Sequence, residues 1–187
     1  MSSMIDWLVG QMISLGAAGE DESDVLVYGL DLLFSSVLTI AALLLLGWIA
    51  GFGLSTLLLL AAFIPLQSFG GGYHCQTHLR CFLMTTCNVL AALLLSRLLP
   101  LSLLMIAALA AALPIYRIAP VEHPNAPFGE AFGRRMAKIV RVAYLSELAL
   151  AVLLLLFGAG HAARPILAAL SLSALSICAA RALSKHT

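Results

Sequence analysis

Charge is what this sequence has least of. Only 10% of its 187 residues are charged, and ten Lys and Arg nearly balance nine Asp and Glu to leave a net charge of +1. So small an excess excludes a nucleic-acid binder built on a basic face. Hydrophobic residues make up 62% of the chain and the mean hydropathy is +1.05, which excludes an ordinary soluble domain. Strict alternation of apolar and polar residues is missing too. The apolar runs are continuous, as in Ala41–Leu46, and a transmembrane β-barrel is excluded with that. Met1–Asp24 holds no Lys or Arg but five acids, Asp6, Glu20, Asp21, Glu22 and Asp24. A cleavable signal needs a basic leader, so this segment is expected to stay on the mature protein. No internal repeat, low-complexity linker or second hydrophobic pattern divides the chain, and a single membrane domain over residues 1–187 is the expectation.

What is present is a series of runs long enough to cross a hydrocarbon core, which takes roughly 20 helical residues. The runs predict six spans: Val25–Ala50, Gly51–Phe69, His78–Leu99, Leu101–Ile118, Lys138–Ala159 and Arg164–Leu183. The fold class expected is therefore all-α, a polytopic integral membrane protein with about six transmembrane helices. Within residues 1–24, Met4–Leu15 sets Ile5, Leu8, Met12 and Leu15 on one helical face and predicts a short amphipathic interfacial helix before the first span. With six spans the termini share a side. Arg80, Arg117, Arg134, Arg135, Lys138, Arg141, Arg181 and Lys185 fall on it, against Arg97 and Arg164 on the other. Positive residues are retained in the cytoplasm, which predicts both termini there. The longest polar interruption, Arg117–Arg141, carries Pro120, Pro124 and Pro127 and is expected to be an ordered cytoplasmic loop.

The second interruption, Gln67–Arg80, reads QSFGGGYHCQTHLR and is followed by Cys81. Three successive glycines destabilise a helix and open backbone angles closed to other residues, which suits a tight bend or the close approach of a substrate backbone. His74 and Cys81 supply what nucleophilic catalysis needs, an imidazole that takes a proton near neutral pH and a thiol that attacks as thiolate. On one straight helix seven residues separate the pair by about 10.5 Å, too far for a base and its nucleophile. The glycines must therefore bend the chain if the two are to meet. His78 competes for the base role, standing three residues before Cys81. His74, His78 and Cys81 also stand at i, i+4, i+7, but with no Cys-x-x-Cys pair and no evident fourth ligand a metal site is not expected. Cys87 and Cys178 lie within spans as small apolar residues. A structural disulfide among Cys75, Cys81 and Cys87 is not expected on a reducing cytoplasmic side. Asp31 stands out because an acid inside a span is costly and marks an interior or functional position.

FGGGYHCQTHLRC resembles the Gly-Gly-x-His…Cys signature of the AgrB (accessory gene regulator B) family of membrane cysteine peptidases. VLVYGLDLLFSSVLTI is similar to that family's first span, with Asp31 as its acid, and IAPVEHPNAPF resembles its Pro-Val-x-x-Pro-Asn-x-Pro loop. The resemblance implies His74 as general base and Cys81 as nucleophile, over His78. It also implies an arginine seven residues before the histidine, where this chain has Gln67. A neutral amide there is a candidate oxyanion donor, alongside substrate contacts at Gly71 and Gly72. A third group to orient His74 is open among Asp31, Glu122 and Asn125. The activity implied is cleavage, with or without cyclisation to a thiolactone or lactone, of the precursor of a secreted quorum-sensing signal, and no cofactor is implied. The partners are the bilayer and a short amphipathic precursor peptide, with a homodimer as one option for assembly and no nucleic acid. A small transporter or export channel is the alternative, and an interaction-only membrane subunit a third. A pore would tolerate Cys81→Ser and an enzyme would not.

Overall fold

In hydrocarbon every backbone N–H must find its acceptor within its own segment, so continuous apolar runs become helices. A computed structural model describes residues 2–71, 78–122 and 129–183, and the elements it gives there are helical. They are α1 (Ser2–Ser14), α2 (Ser23–Ile49), α3 (Gly53–Gly70), α4 (His78–Leu98), α5 (Leu101–Ala110), α6 (Ala112–Arg117), α7 (Glu130–Leu156) and α8 (Gly160–Leu183), with a single 3-10 turn at Glu20–Glu22. Five of these are long and apolar enough to cross a membrane. The chain is thus an all-helical, multi-pass membrane protein.

The expected span Leu101–Ile118 is the exception. It is two short helices joined at Ala111, and Pro114 is the reason. A proline has no N–H to donate to the carbonyl four residues earlier, here Ala110, and its ring collides with that carbonyl. The expected loop Arg117–Arg141 is also shorter than the run of polar residues suggested, because α7 begins at Glu130, past the last proline. Its first turns are charged rather than apolar and include an exposed Glu130–Arg134 pair at 3.1 Å.

The described chain falls into two compact units, residues 1–43 and 44–187. In the first, α1 buries Ile5 and Val9, at i, i+4, while Leu15 is 80% exposed, so the buried stripe is shifted from the face expected. Ile5 lines a cleft of about 340 Å³ with Asp24, Val27, Tyr28 and Asp31 of α2.

The second unit is organised around α8, which packs against α3, α4, α5, α6 and α7. Buried residues make up 56% of its most apolar stretch, against 17% in α7, although the α7 stretch is the more apolar. Lipid is as good a solvent for leucine as another helix is, so hydrophobicity does not decide which helix sits inside. Small residues do, because they let backbones approach. α8 buries Ala163, Ala168, Ala169, Ser173, Ala174 and Ala180, whereas α7 turns Leu145, Leu150, Leu153 and Leu156 outward.

Arginines close the end of this unit where α4 finishes and α8 starts. The Arg164 guanidinium donates to the carbonyls of Ser96, at 2.7 Å, and Leu99, at 2.9 Å, two of the acceptors a helix C-terminus leaves open. Arg97 lies 3.8 Å over the Phe52 ring, with a long contact to the Gly51 carbonyl at 3.5 Å.

Candidate active site

At the other end of the same unit, α3 stops at Gly70 and Gly71 takes a left-handed conformation, φ 70° and ψ 62°. Only glycine adopts it without strain. Space makes the same demand, since a Cβ on Gly71 would collide with the Val121 carbonyl oxygen and lie 2.8 Å from its nitrogen. Gly70 fills a different need. A Cβ there would sit 3.1 Å from Ile177 of α8 and 3.5 Å from Val140 of α7, so its bareness lets three helices close together. The Val121 N–H then donates to the Gly70 carbonyl at 3.0 Å. Two segments fifty residues apart, one ending the glycine run and the other following Pro120, are joined backbone to backbone.

Gln67 lies one turn before this junction. Its amide nitrogen donates to the Ser176 hydroxyl of α8 at 2.9 Å, while its Oε1 is buried with no hydrogen-bond partner among the described residues. One amide hydrogen is therefore committed to α8. Cys81 lies in the first turn of α4, half-buried, whereas Cys87 and Cys178 are exposed on the flanks of their helices.

A glycine-capped helix end pressed on the Pro-Val segment, with a cysteine opening the next helix, is the arrangement to compare with known proteins. The family model described as AgrB, accessory gene regulator B, matches residues 2–180. The chain belongs to the AgrB family. No curated protein and no solved structure matches it. Membership gives this AgrB-family chain a membrane setting and a part in processing the precursor peptide of a quorum-sensing signal.

The residues singled out from sequence fall into three groups on this frame. Gln67, Gly71 and Cys81 stand at the end of the unit where α3 finishes and α4 begins, and Glu122 is exposed beside Val121. Asp31 belongs to the unit of residues 1–43. Gly72, His74, Cys75 and Asn125 lie outside the described residues, as does the distance between His74 and Cys81, and His78 opens α4. Among the described residues no three His, Cys, Asp or Glu side chains gather as a metal-binding group.

Sequence reasoning passed over Glu147. It lies in the apolar part of α7, and its Oε2 is buried with no partner among the described residues. Val140, Tyr144 and Ala151, buried at helical spacing around it, mark the inward face. The rule that drew attention to Asp31, an acid within a span, applies equally here and was the signal available. Ser176 was missed as well, and no local pattern pointed to it.

Proposed function

We propose that this chain is a membrane-embedded cysteine endopeptidase in which Cys81 is the nucleophile and His74 the general base. The Cys81 sulfur attacks a carbonyl carbon of the precursor, and His74 takes the thiol proton. When the C–N bond breaks, His74 returns the proton to the departing amine and leaves a thioester on Cys81. Water then releases the acid, or a thiol or hydroxyl within the peptide attacks the thioester and closes a thiolactone or lactone ring. The observation that supports this most is the break after Gly70. α3 ends there with Gly71 in a left-handed conformation, so the chain turns out of α3 before the sequence that carries His74. The substrate is an amphipathic precursor peptide, presented at the membrane surface.

The site and both termini are placed on the cytoplasmic side in this reading. Arg97 and Arg164, the two cations that run against the charge asymmetry, each cover carbonyls or a ring at the opposite end of the unit. Their positions therefore have a structural cause, and the remaining basic residues give one direction. Reporter fusions after Thr187 test this, and an external signal overturns it.

The chemical test uses purified variants in liposomes with candidate precursor, followed by mass. Cys81→Ala and His74→Ala each abolish cleavage with insertion intact, while Cys75→Ala, Cys87→Ala and Cys178→Ala retain it. Wild type accumulates a thioester at Cys81. Cleavage by Cys81→Ala ends the hypothesis. Loss with His78→Ala but not with His74→Ala keeps the enzyme class and changes the base.

A further inference from the structure

The bend at Pro114 leaves a concavity beside α8. A cleft of about 320 Å³ is lined by Leu113, Pro114, Ile118 and Cys178, with Arg117 as its only charged wall. Leu113 is 65% exposed, so the cleft opens to the outside of the helical bundle, where the surrounding medium is lipid. A hydrophobic cleft facing hydrocarbon fills with acyl chain, and that much is ordinary. What gives this one chemical selectivity is the guanidinium. Arg117 ends α6, near the level where Val121 meets Gly70, and it makes no ion pair or hydrogen bond with the described residues. A neighbouring cation behaves differently, since Arg141 donates to the Tyr116 carbonyl at 3.0 Å and lies over the Tyr116 ring at 5.3 Å. The carbonyl next to Arg117 is thereby taken, and its guanidinium is left facing outward at the rim of an apolar trough. Planar donors of this kind bind a phosphate diester oxygen pair in bidentate fashion, and basic rims between membrane helices select anionic headgroups.

From this we infer that the α6–α8 cleft is a binding site for an anionic phospholipid, with the phosphate on Arg117 and one acyl chain laid across Leu113, Ile118 and Cys178. The site does not depend on the peptidase reading, only on the chain's residence in a membrane. The lipid bridges the broken α5–α6 arm to α8.

The experiment uses the full chain, purified and reconstituted with phosphatidylglycerol or phosphatidylcholine. Native mass spectrometry should find phosphatidylglycerol retained at least five times more by wild type than by Arg117→Gln, with phosphatidylcholine retained equally by both. Arg135→Gln, an exposed cation of α7 outside the cleft, should match wild type. A single-cysteine form keeping Cys178, labelled with a fluorophore, locates the lipid. Quenching by a bromine-labelled phosphatidylglycerol should exceed that by bromine-labelled phosphatidylcholine, and Leu113→Trp, which fills the cleft without touching the charge, should remove the difference. Equal retention by Arg117→Gln overturns the proposal, and so does equal quenching by the two lipids.

Discussion

The two ends of the 44–187 unit are held by opposite means. Where α4 finishes, long arginine side chains reach across to carbonyls, so the contact is made by flexible groups over a gap. Where α3 finishes, the Gly70 and Gly71 backbone lies directly on the Val121 backbone, with no long side chain between them. The first kind of join tolerates small displacements. The second fixes position to within an atom's width, which is what a site with reacting atoms requires. The arginine end also pairs two of its helix-end carbonyls, while the glycine end keeps a buried amide oxygen on Gln67 and the Arg141 Nε without partners among the described residues.

If that contrast is right, damage at the glycine end should fall on activity and damage at the arginine end on stability. Gly71→Ala should have the largest effect. The left-handed backbone alone costs an alanine about 1–2 kcal/mol, and the collision with Val121 must be relieved by moving the loop. Precursor cleavage in liposomes should fall by about 100-fold or more, the scale of an ångström's misplacement. Near-normal cleavage would mean that the junction does not position the site. Arg164→Leu comes next, because it removes the donor to two helix-end carbonyls. Unfolding titrations in mixed micelles should show a loss of about 2–3 kcal/mol, with cleavage per folded molecule unchanged. Arg97→Leu removes one ring contact and one long hydrogen bond and should cost at most ~1 kcal/mol in the same titration. Smallest is Ser176→Ala. Interhelical hydrogen bonds in membranes average about 0.6 kcal/mol, so stability should shift by that amount and cleavage by no more than a factor of ~3. A larger drop in cleavage than in stability would show that Gln67 is held for the chemistry and not for the packing.

Much of this was legible from residue order. Long apolar runs marked α2, α3, α4, α7 and α8 to within a few residues at most ends, because helix is the only local solution in lipid. The glycine run marked the end of α3, and the motifs around it identified the family. Pro114 carried its own warning of a broken helix but was read as part of a span, since a 17-residue apolar stretch outweighed one proline. Contacts between distant segments were out of reach. Nothing local ties Gln67 to Ser176 or Gly71 to Val121, because both depend on how α3 seats against helices made later. Which helix sits centrally was equally hidden, since the most apolar stretch of α7 outranks that of α8 and packing reverses the order. Leu15 is a smaller case, exposed because α1 stops one residue before it, at Ser14.

The central position of α8 has a consequence for biogenesis. Helices enter the bilayer in the order they are made, and α8 is the last of the described ones, yet it is the surface against which the five before it pack. Until Leu183 has left the ribosome, α3 to α7 have only their contacts with one another, such as α3 on α7, and lack the surface they share. Assembly therefore runs backwards along the chain, with early helices waiting side by side and the newest one drawing them together. A ribosome stalled before Gly160 should leave inserted helices without their common partner and exposed to membrane quality control, however many spans it has already delivered.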